Sequence, residues 1–325
     1  MPHRPQDTVL LPPYFPDRFP RSCSYETWTT LNFAKVSETR HKKLAGFSKV
    51  NMVARPYRWL HAKKRLGQNF LCDDAVARRI VSFVVGDAAA SLSVVEVGGG
   101  RGALTKHLLT LDRELTVVEF DATCVEFLLH TYAGLCERLV QADFLRLDLQ
   151  RLCGGRQFVL IGNYPYNISS QIVIKVLANK ALIPICGGMF QDEVALRLAA
   201  SEGGRTRGIL SVLLQAWYNV EYLFSVPPTA FIPQPKVSGG VVRFCRNSRE
   251  TLGCDEELFV RIVKTTFNQR RKMLRHTLRP LLAVADCEES RAFLSRGDLC
   301  RRPEELSVDD FIGLTRNVSR LNAVV

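Results

Sequence analysis

Two periods of hydrophobic and polar positions run along this chain, and the change from one to the other divides it. Short apolar, β-rich runs at 93–97, 115–119, 139–142 and 158–162 alternate with stretches of helical spacing at 104–111, 122–132 and 169–177. Such alternation predicts a mostly parallel sheet covered by helices on both faces. Two later runs, 220–226 and 240–244, lie close together and predict an antiparallel edge. After about residue 250 the strand pattern stops, and 256–267, 271–282, 289–296 and 308–315 read as helices. The expected architecture is an α/β sheet domain over 62–248 followed by a small all-helical domain over 249–325.

The first 50 residues carry no clear period, and Pro12, Pro13, Pro16 and Pro20 crowd one stretch of them. Residues 1–61 are therefore expected to be a basic, disordered extension. Met52 opens a short basic lead into the sheet domain and is a candidate start. Composition sharpens this division. Of the 44 Lys and Arg in the chain, 13 fall in residues 1–65, against four of the 32 acids. The net charge of +12 favours a polyanionic partner without proving one. No apolar run reaches the roughly 18–20 residues that span a bilayer, so no membrane partner is expected. The ten cysteines form no C-x-x-C pair and the six histidines no H-E-x-x-H, so reduced thiols and no metal site are expected.

The candidate chemistry begins at 94–102, V-V-E-V-G-G-G-R-G, a strand that runs into a glycine turn and then a helix. Gly98 and Gly100 let backbone approach a ligand at the carboxyl end of the first strand, where open α/β sheets bind. Glu119 ends the next strand, and a carboxylate there can accept hydrogen bonds from both ribose hydroxyls of an adenosine. The same glycines, with Ala103, also fit the dinucleotide fingerprint G-x-G-x-x-A, so a nicotinamide or flavin enzyme stays open at this point. Glu96, inside the strand, tips the balance, because an acid just before the loop recurs in methyltransferases. After the third strand, Asp143 can accept from an adenine amine while Phe144 covers the ring.

The run G-N-Y-P-Y-N-I-S at 162–169 follows the fourth strand. Asn163, Tyr164, Pro165 and Tyr166 match the N-P-P-Y type of loop of amino methyltransferases. Adenine N6 is a poor nucleophile because its lone pair is delocalised into the ring. The amide oxygen of Asn163 and the carbonyl of Tyr164 can accept its two hydrogens and direct the lone pair at a methyl donor. Pro165 fixes the turn, and Tyr166 offers a face on which a base stacks.

Four further segments carry a resemblance: K-R-L-G-Q-N-F-L at 64–71, Q-D-E-V-A at 191–195, F-I-P-Q-P-K-V at 231–237 and F-N-Q-R-R-K-M-L-R at 267–275. In order and over about 62–318, they resemble the KsgA family of ribosomal RNA adenine dimethyltransferases. The resemblance implies a class I, Rossmann-like S-adenosylmethionine methyltransferase sheet with a small C-terminal helical domain. It implies N6,N6-dimethylation of two adjacent adenines near the 3′ end of small-subunit (16S) ribosomal RNA, S-adenosyl-L-methionine as methyl donor, and a role in small-subunit assembly. By family analogy Asn69 and Leu71 join Glu96, Gly98, Gly100, Glu119, Asp143, Phe144 and Asn163 around the cofactor, and Phe231 stacks on the target base opposite Tyr166. Arg270, Arg271, Lys272 and Arg275 are expected to contact RNA phosphates, with Arg271 and Arg275 on one helical face. The expected partner is ribosomal RNA in the immature small subunit, bound by a monomer in the bacterial cytoplasm, with an organelle as the alternative.

The chain departs from the family at Gly99, where proline is usual, at Tyr164, where leucine is commoner, and at Arg207, where many members carry tyrosine. None of these removes a catalytic group. Rival readings are a non-enzymatic assembly or transcription factor and a resistance methyltransferase acting on large-subunit RNA.

Overall fold

The computed structural model describes residues 61–86 and 91–323. The expectations for residues 1–60, including Met52, lie outside them. In chain order the strands are β1 (Phe70–Leu71), β2 (Ser93–Val97), β3 (Leu115–Glu119), β4 (Leu139–Gln141), β5 (Phe158–Asn163), β6 (Ile185–Gln191), β7 (Tyr218–Val226), β8 (Phe231–Ile232) and β9 (Gly239–Arg246). The helices are α1 (Asp74–Val85), α2 (Thr105–Leu108), α3 (Ala122–Thr131), α4 (Leu149–Leu152), α5 (Ser169–Ala178), α6 (Asp192–Leu198), α7 (Ile209–Gln215), α8 (Glu256–Asn268), α9 (Leu274–Leu278), α10 (Glu288–Leu294) and α11 (Val308–Ala323).

Seven strands form one sheet in the order β4-β3-β2-β5-β6-β9-β7, and β1 pairs separately with β8. The first five are parallel, and β9 and β7 close the edge antiparallel, as the paired late runs predict. The chain builds outward from β2 to β4, then crosses back to lay β5 on the other side of β2. That reversal opens a crevice at the carboxyl ends of β2 and β5. Register fixes what lines it. Val97 is level with Val118 and Gly162, so Gly98, Glu119 and Asn163 emerge together at the same edge.

Period-2 alternation sends neighbouring residues of one strand to opposite faces. On β5, Val159 and Ile161 join a core with Ile80 and Val84 of α1 and Leu128 of α3. Phe158 and Leu160 join the other core, with Ile172 and Val176 of α5, Val212 of α7, and Phe259, Ile262 and Phe311 of α8 and α11. The C-terminal helices therefore share their hydrophobic cluster with one sheet face, and the described residues fall in one compact unit.

Two of the departures from the sequence pattern have a clear reason in packing. Strand β6 is not among the expected strands, and Gly187 and Gly188 interrupt its apolar run. A Cβ on Gly188 would lie 2.0 Å from the Gly162 carbonyl, and one on Gly187 2.7 Å from the Val242 carbonyl and 2.8 Å from Val84. The glycines are there because backbones and α1 approach closely. The helix predicted over 271–282 shrinks to α9 with a 3₁₀ turn at Arg279–Leu281. Residues 269–272 instead form a tight turn, with Arg270 N–H on Phe267 and Lys272 N–H on Gln269. This turn drives Leu274 into the core, where its N–H meets the Arg301 carbonyl, and the expected shared face of Arg271 and Arg275 does not form.

Candidate active site

The glycine loop leaves β2 with Gly98, Gly100 and Gly102 all at positive φ (76°, 54° and 77°), a region that favours glycine. A Cβ on Gly98 would meet nothing nearer than the Asn163 carbonyl at 4.0 Å, so the space beside the loop is open. At Gly99, Val117 and Leu128 stand 2.8 and 2.9 Å from where a Cβ would be. Those side chains occupy the room a proline ring would need, which accounts for the departure there.

Two carboxylates hold the loop. Glu96 is buried in β2 and accepts from the Thr105 hydroxyl at 2.7 Å, tying the strand to the helix beyond the loop. Burial pushes its pKa up to about 7. Glu119 accepts from the Gly100 N–H at 2.9 Å through Oε2 and from the Asp121 N–H at 2.7 Å through Oε1. Burial raises its pKa too. Each carboxylate oxygen has a second lone pair, so these bonds orient Glu119 without exhausting it. Phe120, next in the chain, is 54% exposed and walls the same cavity.

Asp143 spends one oxygen on the Leu145 N–H at 3.0 Å and stands 3.5 Å from Arg146, so it is a turn cap as well as a cavity wall. Phe144 is buried behind it. The Lys175 ammonium lies 5.6 Å from its ring centre and donates to the Leu145 and Leu147 carbonyls, which pins the turn.

At the end of β5, the Asn163 amide donates from Nδ2 to the Asn69 carbonyl at 3.0 Å. A carbonyl only accepts, so this contact fixes the amide orientation and leaves Oδ1 as an acceptor that receives no hydrogen bond from the described residues. The Tyr164 ring is buried, its hydroxyl donating to the Gly187 carbonyl at 2.9 Å, and its N–H donates to Met189 at 3.0 Å. The tyrosine thus serves the core where leucine is commoner. The Tyr166 hydroxyl is buried with no hydrogen-bond partner, and burial together with the Asp192 charge pushes its pKa up to about 12.

These groups enclose a cavity of about 240 Å³. It brings together Asn69, Leu71, Glu96, Gly98, Gly100, Glu119, Asp143, Phe144, Asn163, Tyr164, Pro165 and Tyr166. The profile of the ribosomal RNA adenine dimethylase family matches residues 60–299 of this sequence. The chain belongs to the ribosomal RNA adenine dimethylase family. A ribosomal RNA small subunit methyltransferase A of Bacteroides thetaiotaomicron is 52% identical over 256 residues, covering 79% of this chain and 93% of the relative. The protein of the same name from Flavobacterium johnsoniae is 43% identical over 257 residues, covering 79% of this chain and 95% of the relative. A dimethyladenosine transferase from Plasmodium falciparum has the same fold, with a TM-score of 0.65 at 20% identity over 77% of this chain and 98% of that one. So does the 23S rRNA methyltransferase ErmE, at 0.59 and 22% over 77% of this chain and 100% of that one. The α/β class I methyltransferase fold expected from the motifs is therefore the observed one, and this adenine dimethylase is an enzyme of methyl transfer.

Two expectations for this dimethylase need correction. Phe231 does not face the cavity. It pairs with Leu71 across β1 and β8, is 1% exposed, and packs in the core with Met189 and Val241. Of the four cations, two are engaged within the protein. Arg270 donates to the Arg205 carbonyl at 2.8 Å and stands 3.9 Å from Glu304, and Arg275 donates to the Cys300 sulfur. Arg271 and Lys272 are exposed on the turn. The motifs also left out Gln68, Phe70, Arg101 and Phe120 as cavity walls. The first two lie inside the 64–71 run, and Phe120 follows the Glu119 carboxylate directly.

Proposed function

We propose that this chain converts two adjacent adenines near the 3′ end of small-subunit ribosomal RNA to N6,N6-dimethyladenosine, with S-adenosylmethionine as methyl donor. The observation that carries the reading is the Asn163 amide in the cavity wall, its Nδ2 held by the Asn69 carbonyl so that Oδ1 is left as an acceptor, with Tyr164 next in the same wall. The donor fits the residues present: open space beside Gly98, a braced carboxylate at Glu119 for ribose hydroxyls, and the half-exposed Phe120 for an adenine ring. When bound, it supplies an electrophilic methyl group on a sulfonium.

The chain's own residues then do three things. Glu96 and Glu119 hold the glycine loop and orient the donor. Asn163 Oδ1 and the Tyr164 carbonyl accept the two N6 hydrogens, which localises the nitrogen lone pair and stabilises positive charge as it develops. Tyr166 offers its face to the base, which must leave its stack to react. No general base is needed before attack, because the departing proton becomes acidic only after transfer. In the second transfer one N–H remains for the two acceptors, so the methyl group takes the place of the other hydrogen. Arg271 and Lys272, which are exposed, supply positive charge for RNA phosphates of the immature small subunit, in the cytoplasm.

The test is methyl transfer from labelled S-adenosylmethionine to small-subunit particles lacking dimethyladenosine, with large-subunit RNA as control and modified bases read by mass spectrometry. Dimethyladenosine confined to the small-subunit RNA is expected. Label in large-subunit RNA alone, or particle binding without label, would overturn the reading.

A further inference from the structure

We infer that Asp121 is a positioning residue for methyl transfer: it clasps segment 63–71 over the cavity, and that segment holds the Asn163 amide in its reactive orientation. This rests on the proposed function above. Gln68, Asn69, Phe70 and Leu71 wall one side of the cavity. Asp121, buried at the start of α3, grips the segment with both oxygens. Oδ1 accepts from the Lys63 ammonium at 2.6 Å and Oδ2 from the Gln68 amide at 3.0 Å. The Lys63 N–H donates to Gln68 Oε1 at 2.8 Å, closing a ring around the 3₁₀ turn Lys64–Leu66. An ion pair made to a buried carboxylate, braced by further hydrogen bonds, is costly to break in a way that exposed pairs are not.

The clasp connects to the chemistry twice. The Asp121 N–H donates to Glu119 Oε1 at 2.7 Å, so the residue that grips the segment also orients the carboxylate assigned to the ribose. At the other end, the Asn69 carbonyl receives Asn163 Nδ2 at 3.0 Å. A flipped amide would set oxygen against oxygen, so the seat of the segment decides which amide atom faces the base. A purely structural role for Asp121 exists, since Oδ1 also caps α3 through the Thr123 N–H at 3.0 Å. That role accounts for neither Lys63 nor Gln68.

The experiment uses the full chain. Asp121→Asn keeps a cap acceptor and removes the charge, and Lys63→Met removes one arm of the clasp without touching the cap. Two quantities are read: calorimetric binding of S-adenosylhomocysteine, and kcat on small-subunit particles at saturating donor. Asp121→Asn should weaken binding about tenfold and lower kcat about tenfold, consistent with one charge-assisted contact and a displaced amide. Lys63→Met should change both about threefold in the same directions, and Lys63→Arg should restore them. Wild-type affinity and kcat in Lys63→Met, or a lower melting temperature in Asp121→Asn with both quantities unchanged, overturns the clasp while leaving the proposed function intact. Should the wild-type chain fail to methylate particles, the proposed function falls, and the calorimetric arm still decides whether Asp121 holds the segment. If Asp121→Asn does not fold, the Lys63 variants carry the test.

Discussion

The two halves of the cavity differ in how completely the protein satisfies its own polar groups. On the glycine-loop side, Glu96 has Thr105, and Glu119 has the N–H groups of Gly100 and Asp121. On the Asn163 side, the buried hydroxyl of Tyr166 has no hydrogen-bond partner among the described residues, and Oδ1 of the amide accepts no hydrogen bond from them. An unmet buried polar group costs stability, so such groups persist where a ligand completes them. The two carboxylates of the first half are thus braced before anything binds, whereas the Asn163 and Tyr166 side chains of the second keep open valences for a ligand to complete. Substitutions in the first half should act on binding and stability, and those in the second on turnover.

Asn163→Ala should break this contrast most severely. It removes the oriented acceptor, and kcat should fall about 100- to 1000-fold, the loss typical of one preorganised transition-state contact. Affinity for S-adenosylhomocysteine should change less than about threefold, because the role proposed for this group is toward the base. Steady-state kinetics beside calorimetry check the split. Equal losses in both would erase the division between the two halves.

Glu96→Gln addresses the cradle and carries a pH signature. Burial raises the folded pKa from 4.5 to about 7, so the folded chain holds its proton more tightly than the unfolded chain. The stability this contributes is fully present below pH 4.5 and is lost as pH rises to about 7, above which the buried charge bears the whole penalty. A neutral amide escapes that loss. The substitution should therefore raise stability relative to wild type by about 3 kcal/mol at pH 8 and by almost nothing at pH 4, measured by urea unfolding. A gain independent of pH would show that Glu96 does not titrate between the two states.

Glu119→Gln should come next in size. The amide can still accept from Gly100 or Asp121, but it turns a donor toward one of them and loses the charge. Cofactor affinity should fall about tenfold, as for one charge-assisted hydrogen bond, with kcat at saturating donor within about twofold. A fall in kcat without loss of affinity would move Glu119 from the cradle to the chemistry.

How much of this was legible from residues alone follows the same division. The gathering of the loop at 94–102, Glu119, Asp143 and the turn at 163–166 at one cavity was legible because it depends on local backbone: a strand end, a positive φ, a proline-fixed turn. They emerge together because the parallel register carries each strand end to one edge. What tertiary packing decides was not legible. Strand β6 is interrupted by glycines whose reason is the nearness of Gly162 and Val242. Phe231 reads as an available aromatic, yet pairing with Leu71 buries it. The cations at 270–275 read as a helical face, yet a turn at 269–272 breaks the helix and puts Leu274 in the core. The clasp through Asp121 joins residues 58 apart, which no local pattern records.

Tyr166→Phe is the mildest change and the finest probe of the open half. It deletes the hydroxyl that lacks a partner and keeps the aromatic face. Removing a buried, unsatisfied polar atom relieves a desolvation cost, so the free protein should be more stable by about 1 kcal/mol. If that hydroxyl is completed by bound RNA, affinity for small-subunit particles should fall about fivefold, the worth of one net hydrogen bond, while kcat on saturating particles holds. Thermal unfolding and a particle-binding titration on the same preparation give the two signs together. Stability rising while affinity falls would mean that the hydroxyl is held for the ligand at the protein's expense. Stability rising with affinity unchanged would reduce Tyr166 to a stacking surface, and the contrast between the two halves would then rest on Asn163 alone.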